Sequence, residues 1–253
     1  MRAYIPTVAL DVLKIDTPQM IEVDRLMIEQ YHIELIQMME NAGRCLAVVA
    51  REQFLGQDPQ GKKVVVLAGT GGNGGGALVG ARRLHAWGAQ VEVYLTKAPE
   101  QMTPVPAHQL QIVERMGIPV KPGSDLPASG CYDLVIDGVL GYSVKGDPYG
   151  LAGQMIHWAN TVAGPVLSLD TPSGLDLTSG TVRTPTVKAD ATLTLAMPKQ
   201  GLFSSGAQDV VGDLFLGDIS VPPELYEAPS LGLKSANLFR HSDIVQIDTG
   251  SSF

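Results

Sequence analysis

Three groups of residues in this sequence have the types and spacing that chemistry requires. Six glycines fall within the eight residues Gly69–Gly76. Asp137 and Asp170 each end an apolar run and are followed by residues typical of turns. Carboxylates held close together and away from water can bind a hard cation or move a proton. The sequence therefore indicates a site built from a glycine-rich segment and two acids.

The glycine-rich segment matches the pattern G-x-G-x-x-G over Gly69–Gly74. It follows the apolar run Lys63–Ala68 and precedes a helical pattern, the context in which backbone N–H groups bind phosphate. Two interpretations remain open, an anion-binding loop or a tight turn that lets a helix pack on the sheet. A nicotinamide-dependent dehydrogenase is disfavoured, because the next strand ends at Thr96-Lys97 and lacks the acid that binds the ribose.

The two acids also have structural alternatives. Asp137 fits either a loop cap or a site carboxylate, and Lys145 either a solvated side chain or a site cation. The turn Asp170-Thr171-Pro172-Ser173 strengthens the functional interpretation, because it places a second carboxylate at a strand end. No Gly-Lys-Ser/Thr follows the glycines and no G-x-S-x-G occurs, which disfavours a P-loop phosphotransferase and an α/β-hydrolase.

These residues need a scaffold that brings strand ends together. Short apolar runs predict strands at 63–68, 91–95, 118–120, 132–137, 166–170, 191–196 and 214–219. Helical spacing predicts helices from Thr17, a predicted N-cap, and over 33–51, 77–87, 104–116 and 151–160. The alternation predicts an α/β fold, a three-layer α/β/α sandwich with a Rossmann-like, doubly wound, mostly parallel sheet. We expect residues 1–17 to form an N-terminal arm and 18–253 a single domain.

Composition narrows the class of protein further. The 253 residues include 18 Lys and Arg against 26 Asp and Glu, for a formal net charge of −8, with no basic block, so nucleic acid is not expected as a partner. The uncharged stretch Val64–Ala81 has glycine at its centre, which argues against a membrane span. No secretory signal, disulfide framework or paired metal-ligand spacing is evident. We expect a cytoplasmic protein with no membrane association.

Taken in order, the motifs resemble the YjeF N-terminal domain family, the NAD(P)H-hydrate epimerases. The resemblance runs from about Met20 to Glu224. It rests on the ordered motifs Glu22–Asp24, Met39–Gly43, Asn73–Gly75, Asp137–Gly141, Lys145-Gly146, Asp170–Asp176, Met197–Leu202 and Gly212–Ile219.

This resemblance implies a homodimeric enzyme that interconverts the R and S forms of hydrated NADH and NADPH in nicotinamide nucleotide repair, coupled to a separate dehydratase. It implies a potassium ion held by Asn73, Asp137 and Ser173, and catalysis by Asp170 with Lys145 beside the substrate. The implied substrate contacts are Gly72, Asn73, Gly74, Gly75, Gly76, Gly141, Tyr142, Ser143, Val144, Lys145, Gly146, Asp147 and Asp170.

The glycine-rich segment also supports an alternative function. Gly72 and Gly76 stand where the family has Asn and Asp. The alternative function is therefore a catalytically impaired YjeF-type module that binds a ligand or forms a dimer. The retained Asp137, Lys145, Asp170 and Ser173 favour the enzyme.

Overall fold

A nine-stranded sheet forms the centre of the computed structural model, which describes residues 5–9, 13–142, 146–234 and 238–249. The strand order is β1-β9-β8-β7-β6-β5-β2-β3-β4, and all neighbours are parallel except β8 and β9. The strands are β1 (Thr7–Val8), β2 (Lys63–Ala68), β3 (Gln90–Leu95), β4 (Val120–Pro122), β5 (Leu134–Gly138), β6 (Val166–Leu169), β7 (Ala191–Leu195), β8 (Asp213–Gly217) and β9 (Ile244–Ile247).

Helices cover both faces of the sheet. They are α1 (Thr17–Glu29), α2 (Leu35–Val49), α3 (Gly72–Ala86), α4 (Pro104–Arg115), α5 (Gly150–Ala159) and α6 (Gln208–Val211). In β2, Val64 and Val66 pack in one core with α2, α3 and α4, whereas Val65 and Leu67 pack in another with α5. Adjacent residues of a strand point to opposite faces, so a continuous apolar run is what a strand covered on both sides requires. The predicted three-layer sandwich is confirmed.

The central strands follow the predicted apolar runs closely. The bounds of β2 are those predicted, and β3, β5, β6, β7 and β8 differ from prediction by at most two residues at either end. Strands β1 and β9 and helix α6 were not predicted, and β1 pairs with β9 at one edge of the sheet. The division into an arm over 1–17 and one domain over 18–253 stays a prediction. Within the described ranges, no helix is long and apolar enough to cross a bilayer.

The helix starts differ from prediction by one residue for α5, two for α2 and five for α3, and the N-cap of α1 also differs. The N-cap of α1 is Asp16 and not Thr17, because the Asp16 carboxylate accepts from the Gln19 backbone N–H at 2.8 Å and the Gln19 side chain accepts from the Asp16 N–H. Helix α3 begins at Gly72 and not at Ala77, so much of the predicted glycine loop is helical. Glycine disfavours helix intrinsically, and tertiary packing overrides that preference here.

The reason for glycine at position 74 is close packing of the start of α3 on the end of β2. A Cβ atom at Gly74 would lie 1.9 Å from the carbonyl oxygen of Gly69 and 2.8 Å from its nitrogen. Backbone atoms cannot turn aside as a flexible side chain can. Gly74 therefore sets how near α3 comes to the strand, the role expected of the last glycine in this motif.

We expect Gly74→Ala to lower the free energy of unfolding by about 1–3 kcal/mol, the usual cost of overpacking. Gly72→Ala is the matched control, because a Cβ there meets nothing within 4 Å. Urea unfolding followed by circular dichroism measures both. Equal stabilities of the two variants would contradict this account of the motif.

Candidate active site

A cavity of about 770 Å³ opens at the carboxyl edge of the sheet, within the size range of small-molecule sites. Its walls come from the segments that follow β2, β3 and β5, and from α1 and the start of α5. The lining residues are Asp24, Ile28, Leu35, 70–74, Thr96, Lys97, 139–142 and 147–152. Ligands of doubly wound sheets bind at this edge, so the position agrees with the fold.

Asp137, at the end of β5, has no exposed surface and accepts four hydrogen bonds. Its Oδ1 accepts from Ser173 Oγ at 2.6 Å and from the Val139 N–H at 3.2 Å. Its Oδ2 accepts from Ser168 Oγ and the Ser173 N–H, both at 2.8 Å. Burial raises the pKa of this carboxyl, while the hydrogen bonds from Ser173, Ser168 and Val139 act in the opposite direction. These donors hold together the ends of β5 and β6 and the turn after β6.

Asn73, in the first turn of α3, joins the same edge through its side chain. Its Nδ2 donates to the carbonyl oxygens of Leu169, at 2.7 Å, and Leu140, at 3.1 Å. Leu140 also donates its N–H to Ser173 Oγ at 2.8 Å. Among the described residues no donor meets Asn73 Oδ1, which lies beside Gly141. Asn73, Leu140 and Ser173 are therefore linked in one polar cluster.

The chemistry of this cluster fits a hard cation. Asp137, Asn73 and Ser173 supply only oxygen atoms, and no Lys or Arg in the described part of the chain forms an ion pair with the buried Asp137 carboxylate. A buried carboxylate with neutral neighbours lacks a counter-charge. Oxygen ligands from carboxylate, amide and hydroxyl groups are those that hard cations select.

Asp170, directly after β6, forms a buried ion pair with Lys199. Lys199 Nζ donates to Asp170 Oδ1 at 2.5 Å, and the Lys199 and Asp170 side chains are 1% and 4% exposed. The same oxygen accepts from Thr194 Oγ1 at 3.2 Å and the Leu195 N–H at 3.3 Å. Asp170 has φ +65°, in the left-handed region, which Asp tolerates better than most residues. Its Oδ2 accepts no hydrogen bond from the described residues, so one carboxylate oxygen is left for a ligand.

Asp24 and Tyr142 form a second polar pair, on the cavity wall. Tyr142 Oη donates to Asp24 Oδ2 at 2.7 Å, joining α1 to the segment after β5. Burial raises the pKa of Asp24 and of Tyr142. The negative charge of Asp170 adds to the rise in both. Asp170 itself is not among the residues that line the cavity.

The structure distributes the predicted substrate residues unevenly. Six of them line the cavity: Gly72, Asn73, Gly74, Gly141, Tyr142 and Asp147. Gly75 and Gly76 are buried within α3, where added Cβ atoms would meet Met39 Sδ and Leu169 Cδ2. Gly146 lies at a smaller cleft beside Arg183. Ser143, Val144 and Lys145 lie outside the described residues, and the contacts of all these residues with substrate stay predictions.

Several residues of this site were not predicted, among them the cavity residues Thr96 and Lys97. The two with the most specific polar contacts are Asp24 and Lys199. Both belong to motifs that carry the family resemblance, Glu22–Asp24 and Met197–Leu202. That membership is the only signal in the sequence that pointed to them. Their helix and turn reach the carboxyl edge of the sheet only in the folded chain.

Together, the sheet and the edge cavity with its buried carboxylates define an α/β ligand-binding protein of the doubly wound class. The family model described as "YjeF-related protein N-terminus" matches residues 35–201, and the chain belongs to this family.

Three relatives show how far the similarity extends. The NAD(P)H-hydrate epimerase of Dehalogenimonas lykanthroporepellens is 41% identical over 86% of this chain and 86% of that protein. The NAD(P)H-hydrate epimerase of Rhodopirellula baltica is 33% identical, covering 81% and 83%. The bifunctional NAD(P)H-hydrate repair enzyme Nnr of Moorella thermoacetica is 33% identical over 82% of this chain, which spans 40% of that longer protein.

A solved structure has the same fold. The yeast protein YNL200c superimposes with a TM-score of 0.72 at 24% identity, covering 93% of this chain and 100% of that chain. At this level of identity the likeness concerns the fold alone.

The buried ion pair between Lys199 and Asp170 leads to a prediction about stability. We expect Lys199→Met to lower the free energy of unfolding by about 3–5 kcal/mol at neutral pH, because it leaves the Asp170 carboxylate buried without its cation. Asp170→Asn in the same chain removes that charge and should restore much of the loss. Urea unfolding of wild type, both single variants and the double variant measures the coupling. Additive effects of the two substitutions would contradict the ion pair.

Proposed function

We propose that this protein is an NAD(P)H-hydrate epimerase, which interconverts the R and S forms of hydrated NADH and NADPH. The observation that carries the proposal is the placement of Asp170 directly after β6, at the carboxyl edge of the sheet, with one carboxylate oxygen that accepts no hydrogen bond from the described residues. The family membership of the chain and its 41% identity to a protein named NAD(P)H-hydrate epimerase support the same activity.

The cavity suits a dinucleotide with a charged middle and a reactive ring. The first N–H groups of α3 have no partners within the helix, and residues 71–74 line the cavity. We propose that the pyrophosphate binds at this helix start, where the backbone donors and the helix dipole favour an anion. Gly141, Tyr142 and Asp147 would then contact the nicotinamide half, together with Ser143–Gly146 of the same segment.

The chemistry needs little more than proton transfer. The hydrate carries its hydroxyl on a ring carbon bonded to nitrogen, and loss of that hydroxyl gives a cation stabilised by the nitrogen lone pair. Water then returns to either face. We propose Asp170 as the acid/base group, with Lys145 beside the substrate, since a positioned carboxyl contributes about 10²–10⁴-fold to such a transfer. Lys199 holds the Asp170 carboxylate in place.

We further propose that a potassium ion binds at the oxygen cluster, held by Asn73, Asp137 and Ser173. When bound, the ion would supply the positive charge that the buried Asp137 carboxylate lacks. Asn73 Oδ1, which no described donor meets, is the atom of this set most clearly available to a cation. The chain's own contribution is to hold the three side chains at the ends of β5, β6 and the start of α3.

The product of the proposed reaction indicates which enzyme would act next. Only a dehydratase specific for the S form would make epimerisation of the R form useful, so we propose coupling to such an enzyme. The bifunctional repair enzymes among the relatives are consistent with this coupling. We also propose a homodimer, an expectation that comes from the family resemblance.

The activity is tested with a mixture of R and S NADPH hydrate and a purified S-specific dehydratase, by following the return of NADPH absorbance. We expect wild-type protein to convert the R form faster than it epimerises spontaneously. Asp170→Asn should lower this rate by about 10²–10⁴-fold while keeping the left-handed backbone that Asn also tolerates.

Asp133→Asn is the control, because Asp133 bonds to Lys62 and Lys63 at the opposite edge of the sheet. Wild-type protein that leaves the R form at the spontaneous rate would reject the epimerase. The impaired module, which Gly72 and Gly76 suggest, would then be the better description.

The potassium proposal predicts salt-specific stability. A ligand that binds only the folded protein adds RT ln(1 + [L]/Kd), or about 2.7 kcal/mol at 100-fold excess over Kd. We expect potassium chloride to raise Tm above that in tetramethylammonium chloride at equal ionic strength, and Asn73→Ala and Asp137→Asn to reduce the difference. Equal melting temperatures of wild type in the two salts would count against the site.

A further inference from the structure

Asp24 has the features of a catalytic carboxyl and has no role in the reaction described so far. It lies on α1, on the wall of the cavity, beside Ile28 of the same helix and opposite the start of α3. Its Oδ2 accepts from Tyr142 Oη at 2.7 Å. Its Oδ1 accepts no hydrogen bond within the described part of the chain, and is not among the fully buried polar atoms without a partner there. One oxygen of Asp24 is therefore held in place and the other is open to a ligand.

The surroundings of Asp24 and Asp170 differ in a way that separates acid from base. Asp170 is paired directly with the Lys199 ammonium in a buried ion pair. Among the described residues Asp24 has no such ion pair, and its only hydrogen-bond donor is an uncharged phenol. Burial raises the pKa of Asp24, and the nearby negative charge of Asp170 adds to it. Unequal environments of two neighbouring carboxyls are how proteins assign an acid and a base.

We propose that Asp24 is a second catalytic carboxyl, the acid that protonates the leaving hydroxyl of the hydrated nicotinamide ring, while Asp170 acts as the base. This inference rests on the proposed epimerase activity. If Asp170 were the only acid/base group, Asp24 would have no function in the reaction although it lines the cavity. The proposal gives Asp24 that function.

The step balances as follows. The Asp24 carboxyl gives its proton to the hydroxyl oxygen, the carbon–oxygen bond breaks with its electron pair going to oxygen, and the nitrogen lone pair forms a carbon–nitrogen double bond. Water adds to the opposite face, the double-bond pair returns to nitrogen, and Asp170 takes the proton of the added water. Exchange with solvent returns Asp24 to its acid form and Asp170 to its carboxylate. In the reverse direction the two carboxyls exchange roles.

The hydrogen bond from Tyr142 affects the pKa of Asp24. Its hydroxyl donates to Asp24 Oδ2, which stabilises the carboxylate and lowers the pKa. The other titratable groups that act on Asp24 are Lys199, which lowers its pKa, Asp170, which raises it, and Tyr226, which interacts with Asp24 by charge. Tyr142→Phe removes a donor to the charged form, so the pKa of Asp24 should rise. An acid catalyst loses activity as pH rises through its pKa, so the alkaline limb of kcat/KM should move to higher pH.

The test is the dehydratase-coupled assay on full-length protein across a pH series, with the spontaneous rate subtracted at each pH. We expect Asp24→Asn to lower kcat/KM for the R hydrate by about 10²–10⁴-fold and Asp24→Glu to recover part of the rate. Glu22→Gln is the matched control on the same helix, because Glu22 pairs with Arg25 at the surface. Tyr142→Phe should shift the alkaline limb of kcat/KM upward, whatever its effect on the rate at the optimum.

The results separate the two proposals. Wild-type protein without activity rejects the epimerase itself. Active wild type with Asp24→Asn within threefold of it, or with the alkaline limb of Tyr142→Phe unmoved, rejects Asp24 as the acid. If Asp24→Asn does not fold by circular dichroism, the shift in Tyr142→Phe decides alone.

Discussion

The fully buried carboxylate of Asp137 is the constraint on which the carboxyl edge of this protein depends. A charge taken out of water costs several kcal/mol unless polar groups surround it. Four donors meet it, from β6, from the turn after β6 and from the segment after β5. Those donors stay in place only if the strand ends keep their relative positions. The same requirement fixes where the turn carrying Ser173 begins, and so the neighbouring position of Asp170.

Much of this architecture was predictable from sequence, because the central strands are covered on both faces. A strand of that kind is apolar at every buried position, and Val64–Ala68 shows that pattern without interruption. Asp137 and Asp170 were predictable as edge residues for the same reason, since each is the first acid after such a run. Strand β9, Ile244–Ile247, was not predicted because Gln246 interrupts its apolar pattern.

The rest depends on contacts between distant parts of the chain. Intrinsic propensity places the start of α3 after the glycines, whereas contact with the end of β2 lets the helix begin at Gly72. Lys199 reads as an ordinary surface cation in sequence, because lysines are rarely buried, and only its ion pair with Asp170 explains its 1% exposure. Asp24 likewise reads as the polar face of an amphipathic helix. The structure places Asp24 on the wall of the cavity instead.

The left-handed backbone of Asp170 limits which amino acids this position can accept, apart from any question of charge. Asparagine and glycine adopt that conformation readily, whereas longer or β-branched side chains do so at a cost of about 1–2 kcal/mol. Glutamate keeps the carboxyl but loses the short side chain that suits this backbone. The exchange that chemists regard as most conservative is therefore a poor one here. The substitutions that this backbone tolerates best replace Asp170 with asparagine or glycine, and both are uncharged. Relatives that lose this aspartate are therefore expected to lose the carboxylate in a single substitution.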